Sequence, residues 1–255
     1  MPVYIGIKVL DRILETPIVL IPCRMESVRF PAKPLALING TPMVVWCARN
    51  AEGSNYPTYI CTDSEIIIDA AKQFGHKTIK TPSFNTGTDR VNWAANQLGA
   101  QRIINLQGDE PLINSEAIRH IGKLLLENDQ HDGAILNGLV PLKNEYAFNP
   151  NNIKGVINLA GSIVYLSRKA IRNNRNEGES SSFYLKQLGL YAFNINELNI
   201  FAAMPQSPLE LAEKIEMLRW IDNSLSLKGI CLDTLSLSVD TPEDLVEVEE
   251  ILLNI

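Results

Sequence analysis

The stretch Ile103-Ile104-Asn105-Leu106-Gln107-Gly108-Asp109-Glu110-Pro111 is an apolar run of strand length that ends in two carboxylates and a proline. An apolar run of this length predicts a buried strand. Pro111 cannot continue a strand ladder and favours an extended residue before it, so Asp109 and Glu110 are expected on a turn. Open α/β sheets bind ligands at the carboxyl ends of their strands, where a metal would be held. Taken alone, the pattern is also typical of a solvated turn.

A second strand signal, at residues 18–21, runs into a basic loop that extends to Leu35. Cationic side chains and loop N–H groups together suit a polyphosphate, because Arg offers a fork of donors and Lys a compact charge. The loop has no Walker-type glycine run and no GxGxxG, so a basic surface loop is the alternative. Its pairing with the acidic turn favours a nucleoside triphosphate site. The polar residues concerned are Arg24, Ser27, Arg29 and Lys33.

A third signal surrounds Asp240. Thr241 suits the N-cap of a helix, Pro242 its first turn, and Glu243 and Asp244 its positive end. Asp240 therefore lies just before a helix N-terminus, where on its own it is also typical of a simple capping or turn acid.

Strand-like and helix-like segments alternate along the chain, which predicts a doubly wound α/β fold with a mostly parallel sheet. Ser207 and Glu210 read as a capping box with Pro208 in the first turn. Residues 144–182 break the alternation. The predicted strands are 18–21, 58–61, 77–80, 103–106, 134–140, 163–166, 188–193 and 229–232, and the predicted helices are 43–51, 65–74, 89–97, 116–127 and 209–221.

Composition excludes several classes of protein. The chain has 255 residues and a net charge of −6, so its overall field does not attract nucleic acid. It contains no run of about 18 apolar residues, which predicts that no segment spans a membrane. The cysteines lack CxxC spacing and the histidines lack metal-ligand spacing, which favours reduced thiols in a cytoplasmic protein over a zinc enzyme. No GxSxG elbow of a hydrolase is present.

Residues 1–16 mix apolar and charged side chains and are too charged for the apolar core of a signal peptide. They are an extra strand or helix, an upstream translation start or a disordered arm. The sequence does not choose among these three.

The combined motifs resemble the 3-deoxy-manno-octulosonate (KDO) cytidylyltransferases, also called CMP-KDO synthetases. The family's loop IPAR…RLPGKPL is matched by residues 21–35, its SGTDR by residues 86–90 and its QGDEP by residues 107–111. Residues 239–245 match the segment that carries the second aspartate. The resemblance covers about residues 17 to 254.

The resemblance implies a nucleotide-diphospho-sugar transferase-like fold over residues 17–255, after an N-terminal extension at 1–16. An inserted region at about 144–205 would hold the sugar pocket and a homodimer interface. The implied reaction, a step of lipopolysaccharide biosynthesis, converts CTP and a KDO-like sugar acid to a CMP-sugar and pyrophosphate by Mg²⁺-assisted in-line attack on the α-phosphate. By resemblance, Lys33, Asp109 and Asp240 are catalytic, and the two aspartates hold Mg²⁺. The implied nucleotide-binding residues are Arg24, Ser27, Arg29, Lys33, Thr88, Arg90 and Gln107, and the implied sugar-binding residues are Arg168, Arg175, Gln187, Tyr191 and Glu216.

The chain departs from the family pattern mainly around the sugar. Gln187 replaces a histidine, Met217 replaces a glutamine, and Arg172 is gained. In the nucleotide loop, Ala32 replaces a glycine, which matters only if that residue needs a positive φ, and Glu26 adds an anion that we expect to point to solvent. These changes leave two alternatives open: a cytidylyltransferase for a different acidic acceptor, such as a nonulosonic-type sugar or a small phosphonate, or a nucleotide-binding pseudoenzyme.

Overall fold

The computed structural model describes residues 16–26, 30–127, 133–171 and 184–254. Lys33–Leu35 and Asn144–Tyr146 form single turns of 3-10 helix. The strands are β1 Ile18–Pro22, β2 Leu37–Ile38, β3 Thr41–Pro42, β4 Thr58–Thr62, β5 Thr78–Lys80, β6 Arg102–Leu106, β7 Ile135–Leu142, β8 Lys154–Ile157, β9 Ile163–Ser167, β10 Tyr184–Asn194 and β11 Leu227–Cys231. The helices are α1 Met43–Gly53, α2 Glu65–Gln73, α3 Gly87–Leu98, α4 Ser115–Glu127, α5 Ile195–Ala203, α6 Pro208–Glu213, α7 Leu218–Asp222 and α8 Pro242–Leu253.

The main sheet has the strand order β11-β7-β10-β6-β1-β4-β5. Strand β1 pairs in parallel with β4 and β6, β4 with β5, and β11 with β7. The doubly wound, mostly parallel fold is therefore confirmed. The long strand β10 is the exception, because it runs antiparallel to both β6 and β7.

The two faces of the sheet are both covered, as a doubly wound fold requires. Val19 and Ile21 of β1 face a core that includes apolar residues of α1 and α4, whereas Ile18 and Leu20 face a core that includes residues of α3 and α5. Because successive side chains of a strand point to opposite faces, one four-residue apolar run supplies both cores. This is why the strand signal at residues 18–21 is continuous rather than alternating.

The region that interrupts the predicted alternation contains a short antiparallel addition to the sheet. Strand β8, which the sequence did not predict, pairs with both β9 and β10. It carries Lys154, a fully buried lysine whose ammonium donates to the carbonyls of Asn149, Asn152 and Arg168. A buried charge inside a short strand hides the apolar pattern on which strand prediction depends.

The predicted helix at 209–221 is wrong as a single element. The capping box of Ser207 and Glu210 is confirmed, but α6 ends at Glu213 and Lys214 adopts a left-handed conformation with φ 54°. Arg219 of α7 then donates to both carboxylate oxygens of Glu210, at 2.8 and 2.6 Å. The break leaves residues 215–217 as a turn between the two short helices.

Some expectations fall outside the described residues: those for Ser27, Arg29, Arg172 and Arg175, and that for residues 1–15. In the described ranges, no helix combines the length and the apolar character needed to cross a membrane. All four cysteines are free thiols.

Candidate active site

A cleft of about 720 Å³ opens at the carboxyl ends of β1 and β6. Pro22 and Cys23, at the end of β1, form one part of its wall, and Gln107, Gly108 and Asp109, which follow β6, form another. The N-terminus of α3 supplies a third side. The two motifs that the sequence singled out therefore face one cavity, at the edge of the sheet where this fold class binds ligands.

The cleft brings together three charged side chains that are distant in sequence. Lys33 Nζ donates to Asp109 Oδ2 at 2.7 Å and to Asp240 Oδ1 at 3.3 Å. Their side chains are 15%, 31% and 17% exposed, respectively, so all three are partly shielded yet reachable from the cleft. Burial alone would lower the pKa of Lys33, but the two neighbouring carboxylates outweigh it and raise that pKa above its usual value. The lysine is a firmly charged ammonium.

Backbone contacts hold Asp240 in place. Asp240 lies before the capping box of α8, in which Asp244 Oδ2 accepts from the backbone N–H groups of Asp240 and Thr241, both at 2.8 Å. The predicted N-cap at Thr241 is confirmed. Asp240 is thus fixed by the start of a helix rather than by a flexible loop.

Lys33 is positioned by an unusual backbone conformation. Ala32, which precedes the short 3-10 turn, has φ 56° and ψ 25°. This is the left-handed region that a side chain with a Cβ enters at a cost of about 1–2 kcal/mol. The position where the family pattern has glycine does need a positive φ, and the alanine here carries that strain.

The buried side chain of Glu110 supports the turn that carries Asp109. Its side chain is buried and accepts hydrogen bonds from the backbone N–H of Gly189 at 2.9 Å and from Ser238 Oγ at 2.7 Å. Burial raises the pKa of Glu110, while Lys186 and these hydrogen bonds oppose the rise. A Cβ on Gly189 would lie 2.9 Å from Gln107 Cβ, so glycine is required for this close packing. Glu110 therefore orients the turn.

On the nucleotide side, Arg90 lines the cleft from a buried position. It forms an ion pair with Asp63 at 3.2 Å and donates to Thr81 Oγ1 and to the carbonyl of Pro82. Gln107, which also lines the cleft, donates through Nε2 to Asn105 Oδ1 at 3.0 Å. Both side chains are held rigidly.

Two residues of the basic loop border the cleft from its exposed rim. Arg24 Nη1 donates to the carbonyl of Asn85 at 3.2 Å. Glu26 is exposed, as expected, yet it also borders the cavity. An anion therefore stands close to the expected path of the phosphates.

The residues expected around the sugar divide into two groups. Glu216 lines the cleft and accepts a hydrogen bond from the hydroxyl of Thr88, which is itself fully buried behind it. Burial raises the pKa of Glu216, whereas Thr88 and Arg219 lower it. Gln187 and Arg168 do not line this cavity.

Gln187 and Arg168 are engaged elsewhere. Gln187 Nε2 donates to Asn137 Oδ1 at 2.7 Å inside the sheet, and its Oε1 has no hydrogen-bond partner among the described residues. The guanidinium of Arg168 donates to the carbonyls of Glu213, Pro150 and Lys214 at 3.0 to 3.1 Å. Tyr191 is partly buried beside Phe193, and burial raises the pKa of its hydroxyl.

Sequence reasoning missed several residues of the site. Phe84 and Asn85 line the cleft just before α3, and Cys23 forms part of its wall. Cys23 is two residues beyond the predicted strand 18–21, which was an available signal for a position at the carboxyl edge. The loop at residues 84–85 offered no comparable signal.

Comparison with known proteins identifies the family. A family model described as "Cytidylyltransferase" matches residues 18–228. The chain belongs to this cytidylyltransferase family. The 3-deoxy-manno-octulosonate cytidylyltransferase of Bdellovibrio bacteriovorus is 34% identical over 238 residues, covering 91% of this chain and 96% of that relative. The enzyme of the same name from Chloroherpeton thalassium is 35% identical over 239 residues, covering 92% and 97%.

Solved structures agree with this assignment. The structure of a CMP:2-keto-3-deoxy-manno-octonic acid synthetase complexed with CTP superposes with a TM-score of 0.84 at 29% identity, covering 94% of this chain and 99% of that one. HddC from Yersinia pseudotuberculosis, at 14% identity and a TM-score of 0.66, shares the fold.

The two aspartates fit a hard divalent cation. Within the described ranges, no cluster of three His, Cys, Asp or Glu side chains could hold a metal by itself. A cation that keeps several waters and shares substrate phosphates needs only one or two carboxylates. Asp109 and Asp240, which converge at the cleft from two separate loops, provide that donor set.

Proposed function

We propose that the protein transfers the cytidylyl group of CTP to KDO and releases pyrophosphate. The observation that carries this proposal is the convergence of Lys33, Asp109 and Asp240 in one cleft at the carboxyl edge of the sheet. Two like charges held close to each other are costly unless a cation binds there. Their arrangement around an ammonium suits phosphate and metal chemistry better than a passive binding surface.

The reaction forms one bond and breaks one. The anomeric hydroxyl oxygen of the sugar acid attacks the α-phosphorus of CTP, and the bond from that phosphorus to the bridging oxygen breaks. Pyrophosphate leaves with the electron pair, and the hydroxyl proton is lost to solvent. No covalent enzyme intermediate is needed, so the protein acts by positioning and by stabilising negative charge.

In this proposal Asp109 and Asp240 hold Mg²⁺, which when bound neutralises charge on the phosphate oxygens. Lys33, Arg24 and Arg90 bind the nucleotide with Ser27, Arg29 and Gln107, and Thr88 contributes through Glu216. Lys33 and Arg90 both line the cleft, which suits two cationic contacts to one triphosphate. Thr88 acts behind Glu216 rather than on the nucleotide directly, because it is fully buried.

Glu216 is proposed to orient the sugar acid from the cleft wall, with Gln187, Tyr191, Arg168 and Arg175 as further sugar-binding residues. Gln187 lies outside the cleft lining, and its buried Oε1, which has no hydrogen-bond partner among the described residues, is the acceptor it would offer to the sugar acid. Gln187 also stands where the family pattern has a histidine. This replacement of an imidazole by an amide supports a second candidate, a cytidylyltransferase for a different acidic acceptor.

The experiment that tests the proposal measures pyrophosphate release from CTP and Mg²⁺ with KDO, a nonulosonic-type sugar or a small phosphonate as acceptor. Efficient release with KDO is expected. Release with another acid alone would establish the second candidate, and CTP binding without release from any acceptor would indicate a pseudoenzyme. UTP and ATP are the matched nucleotide controls.

A homodimer is also proposed, through the inserted region around β8 and β9. This part of the surface exposes an unusual share of large apolar side chains, which in soluble proteins mark interaction sites. A molar mass measured by light scattering should correspond to two chains, and Leu159→Asp should lower it to one. The exposed apolar residues are Tyr146, Phe148, Ile157, Leu159, Val164 and Ile171.

A cytoplasmic location is proposed on the basis of the free cysteines. Cys23, Cys47 and Cys61 are buried thiols in one chain, and no disulfide joins them. Reduced thiols of this kind are typical of cytoplasmic proteins.

A further inference from the structure

Lys33 lies between the two carboxylates that are proposed to hold the cation. Its ammonium donates to Asp109 at 2.7 Å and to Asp240 at 3.3 Å. A divalent cation bound by the same two carboxylates would bring a charge of +2 to within a few ångströms of this ammonium. At that separation, like charges repel strongly in a partly shielded site. Lys33 in this position and a fully bound cation are therefore in competition.

The structure gives Lys33 the means to move. Its charge sits on a flexible four-carbon stem that rotates about several bonds, unlike the rigid fork of an arginine. Its backbone is fixed by the 3-10 turn Lys33–Leu35. Lys33 also lines the cleft in which the triphosphate of CTP is expected to lie. The ammonium can thus exchange two carboxylates for phosphate oxygens without a change in the fold.

We propose that Lys33 is an internal counter-ion that occupies the cation site in the free enzyme and yields it only when the nucleotide arrives. The inference rests on the proposed function and adds to it the order in which the metal and the nucleotide bind. Metal alone binds weakly, because it must displace an ammonium whose only hydrogen-bond acceptors among the described residues are these two carboxylates. Metal with CTP binds tightly, because the triphosphate accepts the displaced ammonium. Binding of the metal and binding of the nucleotide are coupled, and the coupling is reciprocal.

The alternative is a static salt bridge, in which Lys33 stays on both carboxylates and only strengthens the loop. The two cases differ in the effect of removing the ammonium. A static bridge that orders the two aspartates should, when lost, leave metal binding unchanged or weaker. A competing counter-ion should, when lost, leave the two carboxylates with one positive charge fewer beside them, so that they bind a divalent cation more tightly.

The test measures Mn²⁺ binding to the full chain by the electron paramagnetic resonance signal of free Mn²⁺, without nucleotide and again with CTP but no acceptor. Lys33→Met removes the charge and keeps the stem. Lys123→Met, at an exposed lysine of α4 that pairs with Glu127 at 3.7 Å, makes the same change in net charge and is the control. We expect Lys33→Met to bind Mn²⁺ at least about tenfold more tightly than wild type without nucleotide. The control should match wild type.

A second expected result concerns coupling. CTP should tighten Mn²⁺ binding by a larger factor in wild type than in Lys33→Met, because only wild type has an ammonium to transfer. Unchanged or weaker Mn²⁺ binding by Lys33→Met overturns the inference, as does an equal effect of CTP on both proteins. If Lys33→Met does not fold, the ¹⁵N shift of the Lys33 ammonium in labelled wild type serves instead. It should change on addition of CTP with diamagnetic Mg²⁺, and no change overturns the inference.

Failure of the inference and failure of the proposed function are distinguishable. If Asp109→Asn abolishes Mn²⁺ binding while Lys33→Met does not tighten it, the metal site stands and only the counter-ion role is lost. If Asp109→Asn and Asp240→Asn leave Mn²⁺ binding unaltered, the carboxylates are not the cation site, and both the inference and the metal-assisted mechanism are overturned.

Discussion

The backbone N–H of Val239 donates to the carbonyl of Asp109 at 2.9 Å. This hydrogen bond joins the turn after β6 to the segment that leads into α8. The two acidic turns are therefore one bonded unit, although they are far apart in the sequence. Lys33 closes the unit on its cleft side.

The helix cap behind Asp240 is expected to matter for activity as well as for stability. Asp244→Ala removes the acceptor of two backbone N–H groups, and loss of such a cap costs about 1 kcal/mol. Because one of those groups belongs to Asp240, the rate of pyrophosphate release should fall about tenfold or more. Urea unfolding and a pyrophosphate assay measure the two effects. Glu243→Ala, at an exposed position of the same turn, is the control, and equal losses in both variants would contradict the explanation.

Ala32→Gly is expected to stabilise the protein. Ala32 has φ 56°, and glycine enters this region without the steric cost that a Cβ imposes. After the entropy cost of glycine is subtracted, a gain of about 0.5–1 kcal/mol in the free energy of unfolding should remain. The matched control is Ala36→Gly, where φ is −57° and glycine should only destabilise. Denaturant unfolding of wild type, Ala32→Gly and Ala36→Gly measures the three free energies of unfolding. A lower value for Ala32→Gly than for wild type would rule out the strain.

Gly108→Ala tests the close packing under the acidic turn. An added Cβ would lie 2.5 Å from Cys23 Sγ and 3.1 Å from the carbonyl oxygen of Pro22. Overpacking of this kind costs about 1–3 kcal/mol, and here it should also move Asp109. Because the thiol is the nearer obstacle, adding Cys23→Ala should recover part of the stability and activity. If the double variant is no more stable or active than Gly108→Ala alone, the contact that matters is the one with the carbonyl oxygen of Pro22 rather than with the thiol.

Binding of the sugar acid should depend on pH through Glu216. Burial raises the pKa of this carboxyl above its ordinary 4.5. A raised pKa means that the proton returns as the pH falls through the folded value, and a protonated carboxyl loses its strength as an acceptor for sugar hydroxyls. The KM for the sugar acid should therefore rise as the pH is lowered toward the raised pKa of Glu216, while the KM for CTP changes less. Glu216→Gln should remove this difference, and a profile unchanged by the substitution would assign the pH dependence to another group.

Much of the fold could be predicted because its signals are local. The run at residues 103–106 specified a buried strand, and Thr241 with Pro242 specified a helix start. Asp109 and Asp240 could be paired only through the family resemblance, since their contact depends on the order of the strands. The break at Lys214 was missed because it depends on the distant reach of Arg219 to Glu210. The inward position of Gln187 likewise depends on Asn137 in a neighbouring strand.

The most direct test of the proposed chemistry is the rate of pyrophosphate release from CTP, KDO and Mg²⁺ by wild type, Asp109→Asn and Asp240→Asn. Each substitution keeps the size of the side chain and removes one charge from the proposed cation site. We expect each rate to fall by about a hundredfold or more, with the unfolding midpoint nearly unchanged. Wild-type rates in both variants would contradict a reaction that depends on these two carboxylates.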